Sequence, residues 1–509
     1  MHARLRALIP VAAALIVFTP ACATLTVAPP TPEELAQLVG IEWYRVQVMG
    51  RPNGYACIET EVVDTPDGPR LRVTEDVHIL IALAGRRLEA SKHQVTLHDE
   101  RLRPATIELD KNEMGRASHL SATLEGDTLT VESGSSEPGA PPATVKTIEV
   151  PGDLSSDLAI AIALVRGELA VGDGLDYAVY DPELDLIDRH VVIADRREAL
   201  DGVDALVISA RSESLGIDVL SWVDDAGVML RQSVPGLMDL TLERVTEEEA
   251  LASLVPFELD TKIAVEHHLP IVRSLADVSL RVRRAAGPAD ELIPATDRQS
   301  VVAEGEDALV TIHRQTPPDA GLPLPITGES LAEYLQPTRA AQSDDPRIVD
   351  TAREIIGDET DAWGAAQLLC SWVHRSMRKV SSEPRPITAL EALDAMRGDC
   401  TEHAILLATL ARAVGLPTKL VTGLAYVGGG FGYHAWTQVY VGRWVEMDPA
   451  WGEMTADAGH LMIYASALDD AAYARAALAT GRTIGAIEID LIGYTAADGR
   501  EVRFGEEGP

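Results

Sequence analysis

The chain has 509 residues, and its 46% hydrophobic and 24% charged content is that of a folded protein rather than a disordered one. A length well beyond the usual single core predicts about two to four domains. With 79 Asp and Glu against 43 Lys and Arg, the formal net charge is −36, which excludes a polyphosphate-binding surface and a basic patch for anionic lipid.

At the N-terminus, His2, Arg4 and Arg6 precede an apolar run from Ala7 to Phe18. The run is too short for a bilayer core of about 30 Å and reads as the centre of an export signal over residues 1–23. Two processing outcomes are open: cleavage after Ala23 in "ACAT", or lipidation of Cys22 in "TPAC", toward which the reading leans. Either predicts an exported chain, periplasmic or lipid-anchored in the cell envelope. Cys57, Cys370 and Cys400 then remain for thiol chemistry, too sparse and odd a set for a disulfide framework.

From residue 32 to 254 the chain reads as a β-rich domain. Apolar and polar residues alternate around Pro-Asn-Gly at 52–54 and Pro-Asp-Gly at 66–68, where proline presets φ and glycine supplies φ > 0, predicting hairpin turns. Further alternating segments, including "HVVIADRR" and "ALVISARSES", predict a large curved antiparallel sheet with one helix in "DLAIAIALVRGEL". A second β-rich segment with a proline-rich linker is expected over 255–340. There His267 and His268 are adjacent on a strand and point to opposite faces, a poor metal clamp. The stretch "TPPDAGLPLPITGES" is expected to be exposed and to mark a boundary.

Over 341–470 the period changes. "DPRIVDTAREIIG" and "TDAWGAAQLLCSWVHRSMRKV" space apolar residues three and four apart and predict amphipathic helices, the second capped near Thr360 or Asp361 and burying Cys370. In "RGDCTEHAILLATLARAVGLPTK", Asp399 is a natural N-cap and Glu402 follows three residues later, while Gly415 and Pro417 end the helix. Cys400 therefore falls at the first helical position, where free N–H groups and the helix dipole favour thiolate. Alone, such a cysteine is more often a small buried hydrophobe. In "GYHAWTQVYVGRWVEMDPAWGE", two strands joined at Val441-Gly442-Arg443 would set His434 and Asp448 near one end of a hairpin. A thiol, an imidazole and a carboxylate make a nucleophile, a base and an orienting acceptor. Trp436, Trp444 and Trp451 read as packing residues, and Gly428–Gly430 as a loop at the cleft rim.

The combination "GDC", "RAVGLP", "HAW" and "MDP", in that order over about residues 345–465, resembles the transglutaminase-like superfamily. The fold expected is a multidomain α+β chain: the large antiparallel β region read above, then, as the resemblance implies, a papain-related thiol core with the Cys-bearing helix packed on an antiparallel sheet. It also implies Cys400 as nucleophile, His434 as base and later acid, and Asp448 as the residue that holds the imidazole tautomer. The expected activity is amide or peptide bond cleavage or acyl transfer through a thioester, with hydrolysis favoured over crosslinking. No calcium loop of the DxDxDG form occurs, so neither cofactor nor metal is expected, and the partner is a peptide or protein amide of the envelope rather than nucleic acid. The alternative is a non-enzymatic envelope scaffold or binding protein carrying an inert domain of this kind. Residues 471–509 read as a C-terminal extension.

Overall fold

The computed structural model describes residues 28–505 except 67, 84–85, 114, 137–141, 157, 259–261, 286, 381–387 and 470. The export segment, with Cys22 and Ala23, lies outside the described residues. No helix among those described is long and apolar enough to cross a membrane. The chain forms two compact units, dividing between Leu259 and Asp260.

In the N-terminal unit, helix α1 (Pro32–Gln37) leads into strands β1 (Gly40–Val48), β2 (Arg51–Thr65), β3 (Gly68–Leu83), β4 (Arg86–His98), β5 (Pro104–Glu113), β6 (Ala117–Glu125), β7 (Thr128–Ser135) and β8 (Thr144–Glu149). Helix α2 (Leu158–Val165) follows, then β9 (Gly174–Asp181), β10 (Leu186–Leu200), β11 (Val203–Ser212), β12 (Ile217–Val223), β13 (Met229–Val234), β14 (Leu240–Val245), helix α3 (Glu247–Ala252) and β15 (Phe257–Glu258). They pair in the order β8-β7-β6-β5-β4-β3-β2-β1-β14-β13-β12-β11-β10-β9, with β15 parallel to β3. The sheet curls, so that Ala178 and Tyr180 of β9 pack with Ile107 and Leu109 of β5 and Leu129 of β7. Helix α2 is apolar all round because it is buried on two sides: Ile160 and Ala163 meet Tyr177, Val192 and Leu206, while Ala159 and Ile162 meet Leu35, Leu71 and Leu102.

The expected turn at 52–54 is displaced. The β1–β2 reversal is at Met49 and Gly50, both at positive φ (52° and 69°), and Pro52, Asn53 and Gly54 lie inside β2. Gly54 is there for close approach, since a Cβ would stand 2.2 Å from the His78 carbonyl oxygen.

The C-terminal unit contains β16 (Lys262–Ala264), β17 (Leu275–Arg284), β18 (Gln299–Glu304), β19 (Asp307–His313), α4 (Pro346–Ile356), α5 (Ala362–Ser376), β20 (Arg378–Lys379), α6 (Ala389–Ala395), β21 (Arg397–Gly398) and α7 (Cys400–Ala413). Then come β22 (Thr418–Tyr426), β23 (Gly430–Tyr440), β24 (Trp444–Met447), β25 (His460–Ser466), α8 (Ala472–Gly481), β26 (Ile487–Ala496) and β27 (Glu501–Arg503). One sheet runs β16-β23-β22-β25 with β24 on β23; another runs β18-β19-β17-β26-β27. The stretches 255–340, 341–470 and 471–509 are thus interleaved, because β26 pairs with β17 and β16 with β23.

Three further expectations change. The proline-rich stretch is exposed over most of its length as expected, but it is tied down: Gly321 N–H donates to Asp361, Leu324 N–H to the Thr360 carbonyl and Ile326 N–H to the Gly415 carbonyl, and Ile326 is buried in the core. His267 and His268 lie in the bend after β16 instead of on a strand, with His267 stacked on Phe504. Gly428 and Gly429 make the β22–β23 turn at positive φ, and Gly430 already opens β23 opposite Ala264, so the segment is a hairpin turn rather than a separate loop.

Helix α7 packs on β23, where the Thr437 hydroxyl donates to the Ala404 carbonyl at 3.0 Å. Every residue from Glu402 to Arg412 is buried. Its start is fixed by a reciprocal cap: Thr401 N–H donates to Asp399 Oδ1 at 2.9 Å, and Asp399 N–H to Glu402 Oε2 at 2.6 Å. Gly398 makes room for this cap, because a Cβ there would stand 2.4 Å from the Glu402 Cβ. Gly398→Ala should therefore lower stability by about 1–3 kcal/mol through overpacking, measured by urea unfolding, whereas Gly152→Ala, in open space and without a positive φ, serves as a control with no steric conflict.

Candidate active site

Cys400 is the first residue of α7 and is 8% exposed. His434 projects from β23 where that strand pairs with Gly423 of β22. Asp448 follows β24 directly and is held by a two-way bridge with Glu453, in which Asp448 N–H donates to the Glu453 carbonyl and Glu453 N–H to the Asp448 carbonyl, both at 2.9 Å. The structure brings the three together. His434 Nε2 donates to Asp448 Oδ2 at 2.7 Å, and the ring also hydrogen-bonds the Cys400 side chain. With Nε2 occupied by the carboxylate, Nδ1 is the nitrogen left for sulfur.

The charges follow from this geometry. Burial by itself would pull the His434 imidazole down, but the Asp448 carboxylate and the Cys400 sulfur outweigh it and hold the ring up at about 9. The reciprocal effect is that the imidazolium favours a thiolate beside it. Burial would raise Asp448, yet the charge of His434 and the hydrogen bonds from His434 and His460 keep its carboxyl well below the usual carboxylate range. Trp451 N–H donates to Asp448 Oδ1 at 3.0 Å, and the Trp451 ring stacks on His434 with centroids 4.4 Å apart and an interplanar angle of 21°.

His460 has no counterpart in the sequence expectation. It is fully buried, with Nε2 3.3 Å from Asp448 Oδ2 and Nδ1 3.0 Å from Asp457 Oδ1. Both ring nitrogens face carboxylates, so both carry protons. Burial opposes this, but the hydrogen bonds to Asp448 and Asp457 hold the ring at about 10. Around it, Asp457 N–H donates to Glu453 Oε2, Arg273 pairs with Glu453 Oε1, and Arg298 donates to the Asp457 carbonyl and pairs with Glu446 at 2.6 Å. Its only sequence signal is a lone histidine in "DAGHL", which carries no motif.

Two carboxylate–histidine groups are close enough to be considered for a metal: His434, Asp448 and His460, and Glu453, Asp457 and His460. Their ligand atoms are engaged with one another as hydrogen-bond donors and acceptors at 2.7–3.3 Å, and His460, protonated on both nitrogens between two carboxylates, has no lone pair to offer, whereas a zinc site needs deprotonated nitrogens. The arrangement fits a proton-bearing chain.

The other expected residues separate cleanly. Trp436 is fully buried and donates to Glu446 Oε2 at 2.9 Å, and Trp444 is half-buried beneath Lys419. Trp451 and Trp436 both border the site, the Trp436 ring lying 6.1 Å from that of His434 and 5.1 Å from that of His460 by centroids. Cys370 is core, its thiol pushed far up by burial, and Cys57 on β2 is pushed up to about 11 for the same reason.

A sulfur at a helix N-terminus, an imidazole on the adjoining sheet and a carboxylate behind it define a Cys-His-Asp thiol domain. Residues 349–449 match the model of the transglutaminase-like superfamily, and this segment is a domain of that superfamily. Two solved structures are distantly similar. One is a protein from Cytophaga hutchinsonii provisionally assigned as a cysteine protease, 16% identical over 43% of this chain and 81% of that one, with a TM-score of 0.30. The other is a β-barrel-like protein of domain of unknown function DUF1849 from Brucella abortus, 9% identical over 40% of this chain and 95% of that one, with a TM-score of 0.31. No curated protein matches the chain.

Iodoacetamide should alkylate Cys400 in the folded protein near neutral pH much faster than Cys57 or Cys370, read by peptide mass spectrometry; equal rates would remove the activated thiol. Histidine NMR should show His434 titrating near 9. In His460→Gln that midpoint should rise, because Asp448 then shares its charge with no second cation; in Cys400→Ala it should fall. The linkage has a definite sign: a ring raised from 6.5 to about 9 contributes stability that is fully present below about pH 6.5 and is lost as pH rises through 9.

Proposed function

We propose that the C-terminal unit is a cysteine amidase or peptidase acting through a thioester at Cys400. The observation that supports this most is the His434 ring, held on Nε2 by Asp448 at 2.7 Å with its other nitrogen turned to the Cys400 sulfur. The Cys400 thiolate attacks an amide carbonyl carbon, forming a C–S bond, and the oxyanion develops at the start of α7, where the Cys400 backbone N–H and the positive helix end favour negative charge. His434 gives its proton to the amine nitrogen as the C–N bond breaks. The neutral ring then takes a proton from water as its oxygen attacks the thioester, the C–O bond forms, the C–S bond breaks, and thiolate and imidazolium are restored.

Hydrolysis is favoured over crosslinking because water needs no second binding site. The export segment read at the N-terminus makes peptides or amide crosslinks of the cell envelope the proposed substrate class, with the chain periplasmic or anchored through Cys22.

Mass spectrometry of the full chain incubated with mixed peptides and a primary amine tests the reading. Hydrolysed fragments should exceed amine adducts, and both should fall by at least about a thousandfold in Cys400→Ala. Turnover that survives Cys400→Ala, or no product across a broad peptide set, would overturn it.

A further inference from the structure

Strand β4 is polar on the face where a core strand is apolar. Lys92, Gln94, Thr96 and His98 occupy alternate positions and therefore one side of the strand, and they are only 2%, 7%, 7% and 4% exposed. Val95 and Leu97, the apolar residues between them, fall on the other side and are half-buried. A buried polar stripe is unfavourable unless its groups find partners.

Partners within the unit account for part of it. Gln94 donates to Thr96 at 3.2 Å. Lys92 lies 2.8 Å from Glu75 of β3 and 3.2 Å from Glu183 in the β9–β10 turn. One ammonium thus faces two buried carboxylates. Burial pushes the Glu183 carboxyl up to about 7. Glu183 Oε2 and His98 Nδ1 are buried with no hydrogen-bond partner.

All of these groups line a cavity of about 420 Å³ between the sheet and α2, a size suited to a small organic molecule. Its other walls are apolar and include Ile58, Val73, Ile107, Ile160 and Val179. Val39 and Ile41 also border it and are 50% and 58% exposed, giving an apolar mouth. Glu42, Asp181 and Asp188 add acidic groups, Lys92 and Arg244 are its cationic ones, and His98 and His190 also line it, His190 lying 3.0 Å from Asp188. The chamber is therefore apolar in body and acidic in net charge.

We propose that this cavity binds an amphipathic organic cation, its ammonium group on the unpartnered oxygen of Glu183 and its hydrocarbon body against the wall that includes Ile160 and Val179. An ammonium placed there completes an alternation of charge from Glu75 through Lys92 and Glu183 to the ligand. A carboxylate ligand would add to the acid excess, and an alcohol would gain the apolar wall without the charge.

The test is calorimetric titration of the full chain with n-octylammonium, octan-1-ol and octanoate at mildly alkaline pH. Octylammonium should bind about tenfold or more tighter than octanol, as expected for a charge-assisted hydrogen bond in a buried site, with octanoate weakest. In Glu183→Gln, shown folded by circular dichroism, octylammonium and octanol should bind within about twofold of each other. Cys400→Ala should change none of these affinities, so the site is tested independently of the thiol chemistry. Equal affinities for the three ligands, preference for octanoate, or no binding at all would overturn the proposal. If Glu183→Gln does not fold, the ranking on the unmodified chain decides the question.

Discussion

A carboxylate without solvent contact is stable only among donors, and the arrangement around Asp448 supplies them. Its two oxygens receive His434 Nε2, His460 Nε2 and the Trp451 N–H. The bridge to Glu453 and the positive φ of Gly452 (69°) shape the turn that delivers Trp451 both as a backbone donor and as a ring stacked on His434. Gly452 has a further reason to lack a side chain, since a Cβ would stand 2.7 Å from the His374 ring. One buried charge thus dictates the turn, the orientation of the imidazole and the direction in which that ring offers its other nitrogen.

The same constraint propagates outward. His460 bears a positive charge in the interior and is flanked by Asp448 and Asp457; Asp457 is steadied by the Glu453 and Gly459 contacts and lies beside Arg298, which pairs with Glu446. Glu446 is in turn saturated by Trp436 and Gln438. Buried networks of this kind rigidify when every member is satisfied and are unfavourable when one is removed. The sequence stretch that begins β18 therefore contributes to the thiol site through Arg298, although it lies more than a hundred residues before Cys400.

What was legible in the sequence was local. The reciprocal cap around Cys400 is written in four consecutive residues, and the β23–β24 hairpin in a short alternating run, so the placement of Cys400, His434 and Asp448 could be read before any coordinates. His460, Asp457 and Arg298 could not, because their roles come from contacts between strands distant in sequence and each stands in an unremarkable context. The proline-rich stretch was legible as exposed but not as tied down for a related reason: prolines signal irregular backbone, but the hydrogen bonds that tie this stretch to Thr360, Asp361 and Gly415 depend on tertiary placement. The turn at Met49 and Gly50 shows the opposite failure, in which a strong local signal at Pro52-Asn53-Gly54 loses to the close strand approach that Gly54 permits.

Strand β4 illustrates why buried polarity separates two kinds of interior. Alternation alone would turn Val95 and Leu97 inward, and the structure turns Lys92, Gln94, Thr96 and His98 inward instead. A one-residue change of register exchanges the faces of a strand, so this choice must be enforced by the neighbours, and the pairing of Glu75 with Gln94 and of Val77 with Lys92 fixes it. Around Asp448 the polar groups consume one another's hydrogen-bonding capacity, which leaves a rigid support for one reactive sulfur. Around Lys92 the acids exceed the bases and a chamber remains open beside them, so the interior is organised for a positive group that the protein itself does not supply.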